Sequence, residues 1–185
     1  MASLAALTSL KVSRHQIPRY GLIPNTSIQN KPLLIYHQVF DPQNITPSLI
    51  EAHIRSVGSC EPQWRYPMYR TTHFHSTTHE LLVVFRGDAL LLFGGEGNPG
   101  RVEIKARKGD AILIPAGVAH KLVEESPGGF EMVGSYPRGA ASWDMCYGAE
   151  GEDVDDTIRG VEWFHKDPLF GQTGPAVDAG EARVD

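Results

Sequence analysis

The segment HFHSTTHELLVVFRG, residues 73–87, decides how the chain is read. Its first half gathers three histidines and a glutamate, and its second half is an apolar run, ELLVVFR (80–86), closed by Gly87-Asp88. In an extended chain residues two apart share a face, so His73 and His75 aim their rings at one point while Phe74 faces away. Imidazole and carboxylate are the usual ligands of divalent iron, manganese, nickel, copper and zinc. One straight strand would add His79 to that face. The small polar run Ser76-Thr77-Thr78 interrupts it, and a turn there resets the register so that Glu80 points inward. A glutamate opening an apolar strand needs a partner, because an unpaired buried carboxylate is costly, and a bound cation supplies one. His79 is then read as an exposed turn histidine, with a base beside the metal as the alternative.

Outward from this segment the chain reads as short strands separated by Gly, Pro and Asp. They are ALLLFG (89–94), RVEIKAR (101–107), AILIP (111–115), AHKLVEE (119–125) and GFEMVGSY (129–136). Upstream, Trp64 to His75 is rich in aromatic and β-branched residues, and PLLIYHQ (32–38) is a further strand. Between them Thr46-Pro47 opens a helix, with Thr as N-cap and Pro at the first helical position. Ile50, Ile54 and Val57 share its apolar face, and Gly58 ends it. Many short strands at close spacing predict an all-β sandwich or barrel. A fourth metal ligand must come from a distant strand, and His120, just after the bend Pro115-Ala116-Gly117, is placed to supply it.

Other features narrow the function. A net charge of −5 with no basic patch argues against nucleic acid. No apolar run approaches the roughly 20 residues that span a bilayer. Cys60 and Cys146 form no C-x-x-C pair and read as two reduced thiols in a cytoplasmic protein. The acid-free N-terminus faintly resembles an organelle transit peptide and reads as a flexible tail over residues 1–20. Residues 95–100 match G-x-G-x-x-G but run into a strand rather than a helix, so a hairpin loop is expected and not a dinucleotide site. The acidic run AEGEDVDD (149–156) reads as a solvated loop or the start of a short helix through Ile158 and Val161.

The two histidine segments together resemble the cupin superfamily. His73, His75, Glu80 and Gly87 fit its first motif, and Gly109, Pro115, Gly117 and His120 fit its second. The upstream glycine of the first motif is absent, and Glu124 stands where an asparagine often closes the second. The wider chain is similar to the single-domain YjlB-like cupins over Leu22 to Gln38, His73 to His120, Tyr136-Pro137 and Asp167 to Gly171. The resemblance implies an RmlC-like jelly roll, the double-stranded β-helix, with a short N-terminal helix and a C-terminal extension. It implies one cupin domain over residues 21–172, with the barrel core at about 62–137 and a tail at 173–185. It also implies a metal inside the barrel, held by His73, His75, Glu80 and His120, and a homodimer.

A site of three histidines and one carboxylate leaves positions open for a substrate or dioxygen. Iron(II), manganese(II) or nickel(II) suits the mixed donors, with zinc(II) also compatible. Strand parity nominates Arg65, Tyr69, Thr71, Leu122 and Glu124 as pocket residues, with Arg65 available to an anionic substrate. The expected function is a metal-dependent oxygenase acting on a small organic molecule. A metal-dependent isomerase or decarboxylase and a non-catalytic metal or metabolite binder are the alternatives.

Overall fold

The run ELLVVFR forms strand β4 (Glu80–Arg86), and its apolar character follows from burial on both faces. Leu82 and Val84 point into the barrel against Leu91 and Phe93. Leu81 and Val83 point outward, into a second cluster with Ile50, Ile54, Phe164 and Ala176. The computed structural model describes residues 3–181. Its other strands are β1 (Lys11–His15), β2 (Leu33–His37), β3 (Cys60–Tyr66), β5 (Asp88–Phe93), β6 (Val102–Arg107), β7 (Ala111–Ile114), β8 (His120–Glu125) and β9 (Glu131–Pro137). They pair antiparallel in two sheets, ordered β1-β2-β7-β4-β9-β3 and β6-β5-β8. The two sheets enclose the inner cluster as a jelly roll, the all-β fold expected from the strand spacing.

Helix α1 (Pro47–Val57) covers the outer face of the larger sheet. Thr46 caps it, its hydroxyl accepting from the Leu49 amide at 3.3 Å, and Gly58 ends it with φ 83° and a bond from its amide to the Ile54 carbonyl. The loop over residues 95–100 is a hairpin connection, in which Asn98 donates to the Gly94 and Pro18 carbonyls. The acidic run leads into a single helical turn and a half, α2 (Asp155–Arg159), which buries Ile158.

Both tails depart from expectation. Residues 11–15 are not a flexible tail: β1 adds an edge strand to β2, with Val12 packed on the outer cluster. Its composition, KVSRH, is polar because an edge strand exposes one face. At the other end, α3 (Pro175–Glu181) buries Ala176 and Ala179 under the same sheet face. Asp167 anchors this extension, accepting from Tyr36 Oη at 2.8 Å and from the Leu169, Phe170 and Ala176 amides. The first two and last four residues of the expected tails lie outside the described residues. No helix among the described residues is long and apolar enough to cross a membrane.

Candidate metal centre

Three elements deliver the donors. His73 and Phe74 do not lie in a continuous strand; each makes an isolated bridge, His73 to His120 and Phe74 to Cys146. His73 and His120 exchange both backbone hydrogen bonds, at 3.2 and 2.8 Å, which sets their side chains together. Phe74 turns away and packs with Ala119 and Cys146. The chain then bends at Ser76-Thr77, where the Asp144 carboxylate accepts from the amides of both residues. After the bend, Glu80 opens β4 on the same inward face as Leu82 and Val84.

The bend Pro115-Ala116-Gly117 presents His120. Gly117 has φ +90°, and its amide donates to the His75 carbonyl at 2.8 Å. A Cβ at this position would sit 3.1 Å from the Asn25 carbonyl oxygen, so the glycine is needed for both its conformation and its contact.

The nitrogen ligand atoms of His73, His75 and His120 lie within 4.8 Å of one another, and all three residues are buried. Glu80 closes the group: Oε1 is 3.5 Å from His75 Nε2 and Oε2 is 3.4 Å from His120 Nε2. Each imidazole is oriented through its other nitrogen. Nδ1 of His73 meets the Thr71 carbonyl at 2.8 Å, that of His120 meets the Val118 carbonyl at 3.0 Å, and that of His75 meets the Asp144 carbonyl. A backbone carbonyl can only accept, so each Nδ1 carries a proton and each Nε2 is the ring nitrogen that faces the centre.

Burial, helped by the neighbouring His75, holds His73 below the ordinary histidine range against the opposing pull of the Thr71 carbonyl and Glu80, and burial pulls His120 down to about 3. Burial pushes the Glu80 carboxyl up, but His75, His120 and the Tyr136 hydroxyl outweigh it and hold it at about 2. Burial likewise opposes protonation of His75, yet Glu80 and the Asp144 carbonyl raise it above its usual value. At neutral pH the centre therefore holds two uncharged imidazoles, an ionised carboxylate, and a third imidazole that takes a proton most readily. That is a donor set short of one cation, and it fits a divalent metal ion.

These groups form the floor of a cavity of about 270 Å³. Its walls are mostly apolar and aromatic, including Met68, Met132, Met145, Trp64 and Trp143. Arg65 and Tyr69 line it as expected, but Thr71, His79, Leu122 and Glu124 do not.

Each departure has a local cause. The residues 65–69 all line the cavity, because β3 ends at Tyr66 and strand parity ends with it. Thr71 lies exposed and contributes its carbonyl to His73 instead. Leu122 belongs to the inner core. The pairing of β5 with β8 skips a residue between Leu91↔Leu122 and Leu90↔Glu124, and this bulge turns Glu124 out to solvent.

Arg65 is not free for an anionic substrate, since its guanidinium pairs with Glu51 of α1 at 2.6 and 3.0 Å. His79 is neither an exposed turn residue nor a base at the metal. It is fully buried on the opposite face of the sheet, between Trp163 and Phe164. The C-terminal extension that covers it is invisible in local spacing.

Sequence reasoning also missed Tyr136, Trp64, Trp143 and Asp144. Asp144 carries no spacing signal, because the loop that brings it to His75 is irregular. Tyr136 alternates inward along GFEMVGSY and was accessible to parity.

Comparison with known proteins identifies the family of the chain. Residues 56–172 match the family model described as the AraC-like ligand binding domain. The chain is 31% identical to the uncharacterised protein YjlB of Bacillus subtilis (strain 168) over 163 residues, covering 87% of this chain and 92% of that protein. Among solved structures it resembles RmlC from Streptococcus suis in complex with dTDP-D-xylose, at TM-score 0.37 and 12% identity over 71% of this chain and 72% of that one. It also resembles an 11S globulin from Wrightia tinctoria, at TM-score 0.36 and 14% identity over 78% of this chain, spanning 28% of the globulin's length. By the family match and the relationship to YjlB, the chain belongs to the AraC-like ligand-binding, cupin-type domains.

Proposed function

We propose that His73, His75, Glu80 and His120 hold one divalent metal ion, iron(II), manganese(II) or nickel(II) ahead of zinc(II), and that the protein is an oxygenase acting on a small organic molecule. The observation that carries this reading is the convergence of three histidine Nε2 atoms and the Glu80 carboxylate on the floor of an apolar cavity. When bound, such an ion supplies Lewis acidity or, if redox-active, oxygen activation. The chain's own residues do the remaining work. Met68, Met132, Met145 and Trp143 shed water from the ligand's path and offer it apolar contact. With Arg65 paired to α1, the walls give a charged substituent no cationic partner, which favours a largely apolar ligand carrying one metal-binding group.

A second reading is a non-catalytic binder, favoured by the match to a ligand-binding domain. Oxygen consumption by the iron-loaded protein, measured over a panel of small phenols, enols and carboxylic acids, tests the first. Substrate-dependent uptake supports the oxygenase. Turnover without oxygen points to isomerisation or decarboxylation, and saturable binding without turnover to the binder.

A further inference from the structure

Glu80 has a partner besides the histidines. Tyr136 Oη, on β9, donates a hydrogen bond to Glu80 Oε1 at 2.7 Å. Trp64 Nε1, on β3, donates to the same Tyr136 Oη at 2.9 Å. The phenol therefore accepts on one side and donates on the other, which leaves its proton no choice of direction.

The strand pairing builds this relay. Trp64 lies opposite Gly134 across β3 and β9, two residues before Tyr136. A Cβ at Gly134 would stand 2.0 Å from Trp64 Cε2, so the indole occupies the space that any other residue would fill. The glycine lets the ring lie flat on β9 and brings Nε1 to the phenol.

We infer that Tyr136, held by Trp64, is a positioning residue for Glu80. The hydrogen bond at Oε1 fixes the rotation of the carboxylate. Oε2, beside His120 Nε2 at 3.4 Å, is left as the oxygen presented to the metal. Tyr136 is thus committed to the carboxylate and is not a proton donor to the ligand, although its ring lines the cavity. This rests on the metal reading above. It assigns the tyrosine a role in setting how Glu80 binds, because partners that orient a ligating carboxylate tune both affinity and geometry.

The test is cobalt(II) binding by the full chain, read as affinity in a competition titration and as the visible absorption spectrum of the bound ion. Tyr136→Phe is expected to weaken binding about 10- to 100-fold and to change the spectrum, because the freed carboxylate can rotate and chelate through both oxygens. Trp64→Phe keeps an aromatic ring against Gly134 and is expected to act in the same direction by a smaller factor. Wild-type affinity and spectrum in Tyr136→Phe overturn the inference. Should Tyr136→Phe fail to fold, an unchanged Trp64→Phe overturns it instead. Loss of cobalt in His120→Ala with no effect of Tyr136→Phe removes only the tyrosine's role, whereas a wild-type protein that takes up no cobalt removes the metal reading itself.

Discussion

His79 and Glu80 are neighbours in the chain and lie on opposite faces of the larger sheet. Glu80 faces inward to His75 and His120. His79 faces outward, where its Nδ1 accepts from the Ala116 amide at 2.9 Å and its ring packs on Trp163 and Phe164. The next amide in that bend, Gly117, donates to the His75 carbonyl at 2.8 Å. The turn that presents His120 is therefore pinned from both sides, by the backbone of a proposed ligand and by the histidine that is not one.

This separation makes the ligand assignment testable by substitution. Alanine at His73, His75, Glu80 or His120 should sharply reduce bound metal, while His79→Ala should retain most of it. Elemental analysis of the purified variants reads the result. An empty site in His79→Ala alongside a full one in Glu80→Ala would reverse the assignment.

His79→Ala should instead show itself in stability. The substitution removes a buried ring and strands the Ala116 amide without its acceptor. A loss of about 2–4 kcal/mol is expected from the cavity and the unpaired donor together. Chemical denaturation of the metal-free protein measures it, and a loss below about 0.5 kcal/mol, the level of a surface change, would contradict the packing described.

The same residue should make the fold acid-sensitive. Burial lowers the His79 pKa to about 4, outweighing the smaller opposing contribution of the Glu162 backbone. The unfolded chain takes up the proton near pH 6.5 and the folded one resists until about 4, so stability is complete above 6.5 and falls as pH drops through that window. The loss from this group is on the order of 3 kcal/mol. Denaturation of wild type and His79→Gln at pH 7 and pH 4.5 isolates it, because the variant keeps a hydrogen-bond acceptor but cannot charge. Equal slopes in the two proteins would exclude His79 as the cause.

The space beneath Trp64 should also be intolerant. Gly134→Ala places a Cβ inside the indole and must displace the ring, at a cost of about 1–3 kcal/mol for overpacking. Trp64 would then lose its bond to Tyr136, and metal affinity should fall with it. A fully stable Gly134→Ala with wild-type metal content would show that the indole can move without consequence.

A homodimer remains an expectation carried by the resemblance to jelly-roll cupins, which commonly pair through an edge strand or a sheet face. Light scattering at micromolar concentration tests it, and a monomeric mass would remove it.

The sequence by itself determined the features that depend on local period and local chemistry. Alternation brought His73 and His75 to one face, the polar break at Ser76-Thr77-Thr78 marked the bend that resets Glu80, and the cap pair Thr46 and Gly58 bounded α1. These signals are strong because side-chain direction and turn geometry are set within a few residues. Only the tertiary structure decided what lies on each face. It put His79 under a C-terminal extension some eighty residues away, turned Glu124 outward through a bulge that spacing cannot reveal, and tied Arg65 to a helix. It also assembled Trp64, Gly134, Tyr136 and Glu80 from three strands. Such contacts are fixed by long-range strand pairing and by which segment covers a sheet. No local period encodes them, and the partners meet only when the jelly roll closes.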